Sequence, residues 1–173
     1  MDKKLVKIPA DVPKSMHKEF VNNFLAATKD SGRLMLFAGD QKIEHLNYDF
    51  CGKGIAEDDC DPEHFFRIAS HSVIGAFASQ YGMICKYGRD YPDIDYIIKI
   101  NSKTNLVETK QNEPLSLSLV DIEDVLLLKK NSDLKIRGIG YTIYLGSEYE
   151  AEMLSEAGRL IAEAHRNGMI AVI

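Results

Sequence analysis

Short apolar runs alternate with amphipathic segments along most of this chain, and that order is what most restricts its fold. Residues 33–39 contain Leu34-Met35-Leu36-Phe37-Ala38 without interruption, a run suited to a strand covered on both faces as a parallel sheet requires. Residues 73–79 and 96–100 read as a second and a third strand, the latter rich in β-branched residues. Residues 136–144 contain a fourth, and residues 169–173 begin a fifth.

The intervening segments carry helical periodicity. Residues 14–29 form a leading helix, with Met16, Phe20 and Phe24 on one face and Val21 and Leu25 beside it. Asp61-Pro62-Glu63 places a capping residue, a proline and an acid at the start of a helix running to His71. Shorter helices are expected over residues 83–87 and 121–130. Over 147–167, Ser147 and Glu150 suggest a capping box, and Met153, Leu154, Ala157, Leu160, Ile161 and Ala164 form a stripe that Gly168 ends. The polar stretch 101–118 is long for a compact domain and predicts a functional loop or an extra hairpin.

Two architectures accommodate five such units in one domain spanning residues 1–173. One is a doubly wound, flavodoxin-like sheet complete at this length, which element order alone slightly favours. The other is a (β/α)8 barrel, which needs about 250 residues and would here be interrupted. The five apolar residues at the carboxyl terminus read as an interrupted strand.

Charge and cysteine content remove several functions. With 26 acidic and 21 basic residues the net charge is −5, and no Lys/Arg block is suited to following a phosphate backbone, so no nucleic-acid partner is expected. No segment approaches the roughly 18 apolar residues that cross a bilayer, and the chain reads as cytoplasmic. Cys51, Cys60 and Cys85 are odd in number with no Cys-x-x-Cys pair, and are expected to be reduced thiols rather than a disulfide or zinc set. No metal spacing, no Gly-x-Ser-x-Gly elbow and no Gly-x-Gly-x-x-Gly fingerprint is present, since Gly138, Gly140 and Gly146 do not have that spacing.

In both architectures ligands bind at the carboxyl ends of the strands, where a polar set converges. Asp40 follows strand one, where it could either cap a turn or shuttle a proton. Lys99 stands inside an apolar strand and must reach water or a carboxylate, and pairing with Asp40 is the natural expectation. His45, Asn101 and Lys103 could each hold a substrate hydroxyl or an anionic group, or simply be solvated loop residues. Tyr141 and Tyr144, three apart, should face opposite sides of strand four, so only one can point into the site.

Three segments carry a family resemblance: Leu36-Phe37-Ala38-Gly39-Asp40-Gln41-Lys42-Ile43-Glu44-His45, Ile98-Lys99-Ile100-Asn101-Ser102-Lys103-Thr104, and Gly140-Tyr141-Thr142-Ile143-Tyr144-Leu145-Gly146-Ser147-Glu148. In this order they resemble the archaeal-type class I fructose-bisphosphate aldolases, whose members also occur in bacteria. The resemblance implies a (β/α)8 barrel, here its amino-terminal part. It also implies reversible cleavage of fructose 1,6-bisphosphate to dihydroxyacetone phosphate and glyceraldehyde 3-phosphate through a lysine Schiff base, without metal or other cofactor. Asp40 matches the family's proton-transferring aspartate, and Lys99 a basic residue lining the interior that supports the site rather than attacking the substrate.

Such enzymes continue with a Tyr-Pro-Arg-Gly segment, a Schiff-base lysine on strand six and glycine-rich phosphate loops, all expected beyond Ile173. The chain alone is therefore expected to be inactive, and the full-length protein to be a homo-oligomer acting on a phosphorylated sugar. A related aldolase-like synthase of archaeal aromatic amino-acid biosynthesis would use the same chemistry on another substrate.

Overall fold

The computed structural model describes residues 6–46, 49–106 and 115–173. Its centre is a five-stranded parallel sheet made of β1 (Leu36–Ala38), β2 (Ala76–Gln80), β3 (Asp95–Lys99), β6 (Lys135–Gly140) and β7 (Ile170–Val172). These strands pair in the order in which the chain makes them, β1-β2-β3-β6-β7, each parallel to the next. A doubly wound sheet reverses its order at a switch point, whereas a barrel adds each strand beside the last. The topology thus removes the flavodoxin-like alternative, which element order could not do because both folds share the same alternation.

Helices α1 (His17–Ala27), α2 (Gln41–Glu44), α3 (His64–His71), α4 (Tyr81–Tyr87), α5 (Ile122–Asn131) and α6 (Glu150–Arg166) complete the frame. Side-chain alternation along β3 divides the core in two. Tyr96, Ile98 and Ile100 pack with Phe66, Phe77, Ile84, Val125, Met153 and Leu160 in one cluster with α3 to α6. Ile97 belongs to the other, with Ala76, Ala78 and Ile170 against Phe20 and Leu25 of α1. The leading helix therefore covers the amino-terminal part of that second face. Asn23 ties it to the Gly168 carbonyl at 2.8 Å and Glu19 to Lys129 at 2.7 Å.

The same row of β3 has a charged residue at each end. At the amino-terminal end Asp95 is buried and accepts from Lys29 and Arg137, both at 2.6 Å. Lys99 closes the row at the carboxyl end. The stretch after it forms a hairpin, β4 (Asn101–Ser102) pairing antiparallel with β5 (Leu117–Ser118), as the length of the polar segment allowed. The tip of that segment, 107–114, lies outside the described residues.

Several boundaries move. Met35 is 66% exposed and Val73 93% exposed, so the strands expected from residues 33 and 73 begin only at Leu36 and Ala76. Apolar character marked the approach to each strand rather than its buried part. Asp61 uses its carboxylate on the Glu63 amide and on Arg67, and the helix proper starts at His64. No capping box forms at Ser147. Its hydroxyl accepts the Tyr149 amide, the Glu150 carboxylate accepts the Gly146 amide, and α6 starts at Glu150 with Leu154 exposed. Gly168 does end that helix, at a φ of 66°.

Cys51 and Cys60 are also a correction to the sequence expectation, because they are paired as a disulfide with Cα atoms 5.5 Å apart. The chain folds back between them through Gly52 and Gly54, both at positive φ, which an odd cysteine count could not reveal. Cys85 is free, and burial raises its thiol pKa. Among the described residues no helix is long and apolar enough to cross a membrane.

Strand β7 approaches β6 closely at Gly138. A Cβ there would stand 2.1 Å from the Ile170 carbonyl oxygen, backbone that cannot yield without breaking the pairing. Gly138→Ala is expected to destabilise the protein by about 1–3 kcal/mol in chemical denaturation. A change below about 0.5 kcal/mol would show that this contact is not close.

Candidate functional site

The carboxyl end of the sheet gathers its polar groups around one buried cation. Lys99, the last residue of β3, is 4% exposed in its side chain and must find anions to remain charged. It donates to Asp40 Oδ2 at 2.6 Å and to Glu44 Oε1 at 3.2 Å. Asp40 lies immediately before α2 and Glu44 ends it. Their i, i+4 spacing sets both carboxylates on one face of that single turn. Asp40 makes no capping bond to α2, so of its two sequence readings the turn cap is excluded.

A second tier holds these groups in place. Gln80, ending β2, donates to the Asp40 carbonyl and to Ser102 Oγ, both at 3.0 Å. Ser102 on β4 donates in turn to Glu44 Oε1 at 3.4 Å, and the Asn105 amide donates to the Glu44 carbonyl at 2.8 Å. The hairpin arm is thereby strapped to α2. Gly140 of β6 adds space, since a Cβ there would meet Ile97 and approach the Lys99 stem at 3.9 Å.

The remaining candidates divide. Asn101 is fully buried with its amide donating to Ser116 O at 3.2 Å and Thr142 O at 2.8 Å, while its carbonyl accepts the Thr142 amide at 2.9 Å. It bridges the hairpin to the exit of β6, and no donor is left for a substrate anion. His45 pairs with Asp49 rather than with the Lys99 cluster. Lys103 lies 5.4 Å over the Tyr144 ring and donates to Asn105 at 3.1 Å, so two candidates do come together. The alternation argument for the tyrosines does not apply, because β6 ends at Gly140. Tyr141 is buried in the core, its pKa raised by burial, and Tyr144 is half-buried.

Glu44, Gln80 and Ser102 were not singled out from the sequence. Each is a polar residue in a polar stretch, and only the four-residue spacing of Asp40 and Glu44 hinted at a shared face. Lys42 was equally silent. It points from α2 between Phe50 and Phe65, with Nζ 3.9 Å and 4.9 Å from the ring centroids and no hydrogen-bond partner among the described residues. No group of three or more His, Cys, Asp or Glu suited to a metal occurs among the described residues. A cavity of about 480 Å³ opens at the opposite end of the sheet, where Asp95 already has two cationic partners.

Burial between the rings holds the Lys42 pKa below the usual lysine value, with Asp59 and Asp61 opposing part of that shift. A lysine depressed in this way costs stability at pH values below its folded pKa, and the cost disappears as pH rises toward the unfolded value of about 10.4. Lys42→Met is therefore expected to match or exceed the parent's unfolding free energy at pH 7, the advantage shrinking as pH approaches that value. A loss above about 1 kcal/mol at pH 7 would mean that the cation–π contacts outweigh desolvation.

Residues 34–173 match the DeoC/LacD family aldolases. A Methanocaldococcus jannaschii protein named fructose-bisphosphate aldolase/6-deoxy-5-ketofructose 1-phosphate synthase is 57% identical over all 173 residues, which cover 55% of its length. A Thermoproteus tenax fructose-bisphosphate aldolase class 1 is 30% identical over 82% of the chain and 48% of its own length. Among solved structures, a fructose-bisphosphate aldolase from Slackia heliotrinireducens superposes with a TM-score of 0.93 at 52% identity, covering 99% of this chain and 54% of that one. A Schiff-base-forming fructose-1,6-bisphosphate aldolase gives 0.70 at 28% identity, over 88% of this chain and 55% of that one. The chain spans about half the length of the relatives it matches, and its five strands correspond to half of their TIM barrel.

Proposed function

Because the chain belongs to the DeoC/LacD family of aldolases, we propose that its strand ends form one wall of a Schiff-base fructose-bisphosphate aldolase site. The observation that carries this reading is the buried Lys99 held by Asp40 and Glu44 at the carboxyl end of a sequentially ordered parallel sheet. That end is where barrel enzymes keep their chemistry.

The proposed reaction begins when a lysine amine adds to the substrate ketone and the carbinolamine loses water. The resulting iminium accepts the electron pair released when the carbon–carbon bond breaks. Asp40 carries the proton exchanged in carbinolamine formation and dehydration, since it is the more exposed of the two carboxylates and its Oδ1 has no hydrogen-bond partner among the described residues. Lys99 supports rather than attacks. A nucleophilic amine must be aimed at the substrate, and Lys99 Nζ is instead turned to two carboxylates at 2.6 and 3.2 Å. Lys42 is on the opposite face of α2, between two rings. The family resemblance assigns the Schiff-base lysine to the portion of the relatives' length that this chain does not span.

Lys103 above Tyr144 and His45 beside Asp49 are proposed to meet the phosphorylated sugar at the rim. For the full-length protein a homo-oligomer and a cytoplasmic compartment are the corresponding expectations. A second reading, synthesis of 6-deoxy-5-ketofructose 1-phosphate as well, rests on the double name of the 57% identical relative.

Borohydride reduction of the intact gene product with fructose 1,6-bisphosphate, followed by peptide mapping, tests both assignments. One adduct is expected, on a lysine other than Lys42 or Lys99. An adduct on Lys99 would overturn its supporting role, and the absence of any adduct would remove the Schiff-base reading.

A further inference from the structure

Lys99 has two carboxylates where one would neutralise it, and the two are held very differently. Glu44 is 9% exposed in its side chain, its Oε1 receives both Lys99 and Ser102, and its backbone carbonyl is tied to Asn105. Ser102 is itself fixed by Gln80. Asp40 is 17% exposed and its carboxylate is held by Lys99 alone among the described residues. One carboxylate is built in; the other is more exposed and keeps one oxygen without a hydrogen-bond partner among the described residues.

This asymmetry solves a problem set by the chemistry of the preceding section, on which the inference rests. When carbinolamine becomes iminium, the carbon–oxygen bond breaks, the nitrogen lone pair forms the carbon–nitrogen double bond, and the hydroxyl leaves as water with a proton from an acid. If Asp40 is that acid, it is a neutral carboxyl just before the step and a carboxylate just after it. In its neutral state it cannot balance Lys99, and an unpaired buried ammonium is strongly unfavourable. A second carboxylate that never takes the proton removes the difficulty.

We propose that Glu44 is the permanent counter-ion of Lys99 and a positioning residue for the reaction, leaving Asp40 free to gain and lose its proton while the cation beneath it stays paired. The one-turn helix supplies both carboxylates from one face, and the hairpin strap of Ser102 and Asn105 restrains only the second. Glu44 acts through Lys99 and is not expected to touch the substrate.

The test uses the intact gene product, with Asp40→Asn, Glu44→Gln, their combination, and that combination with Lys99→Met. Glu44→Gln keeps an acceptor for Lys99 and Ser102 but removes the charge, so Asp40 becomes the sole counter-ion. Its kcat for fructose 1,6-bisphosphate cleavage is expected to fall at least tenfold with KM changed less than threefold. Thermal unfolding supplies a readout independent of turnover. Each single variant keeps one carboxylate on Lys99 and should shift the midpoint slightly; the double variant should fall by more than the sum, and adding Lys99→Met should restore it.

Additive midpoint shifts, or parental kcat in Glu44→Gln, would overturn the counter-ion role. If no variant and not even the parent cleaves the bisphosphate, the aldolase reading fails, while the unfolding cycle still decides whether Glu44 pairs Lys99 independently of Asp40.

Discussion

One buried ammonium organises the functional end of this molecule. Lys99 terminates the inward row of the central strand, two residues beyond Ile97 in the core and four beyond Asp95, which is paired at the other end. An ion placed there brings its partners to it, because the alternative is an uncompensated charge in a low-dielectric interior. A helix of four residues has no independent stability. Helix α2 is held instead by what its side chains reach: Asp40 and Glu44 grip Lys99 from one face, and Lys42 enters the Phe50 and Phe65 pair from the other. The hairpin arm then docks on α2 through Ser102 and Asn105.

How much of this could be read beforehand follows from what each residue looks like in isolation. A lysine among isoleucines is conspicuous, and Asp40 after an apolar run is the nearest carboxylate at the same end, so their pairing was legible. Glu44 and Ser102 sit among other polar residues, and their roles exist only once α2 and the hairpin are formed. Asn101 misled for the opposite reason. It stands where a binding residue would, yet the backbone of two connecting segments uses every donor it has.

The fold shows the same division. Strand positions were visible because a parallel sheet buries both faces of its strands, but Leu34, Met35 and Val73 are apolar and exposed, so composition overstated where each strand starts. Element order left strand order open, because a barrel and a doubly wound sheet write the same alternation and differ only in which neighbour each strand chooses; the barrel was legible only through the family resemblance of three segments. The loop joining Cys51 to Cys60 was hidden too, since pairing depends on a return of the chain that spacing does not encode.

The central claim is that Lys99 holds α2 and the hairpin strap in register. Amide hydrogen exchange in Lys99→Met measures this most directly. The account predicts that the amides of Ile43, Glu44, His45 and Asn105 exchange at least tenfold faster than in the parent, about 1.4 kcal/mol of lost local stability, with Ile97 and Ile98 unchanged. Parental protection at Ile43 through His45 in that variant would contradict it.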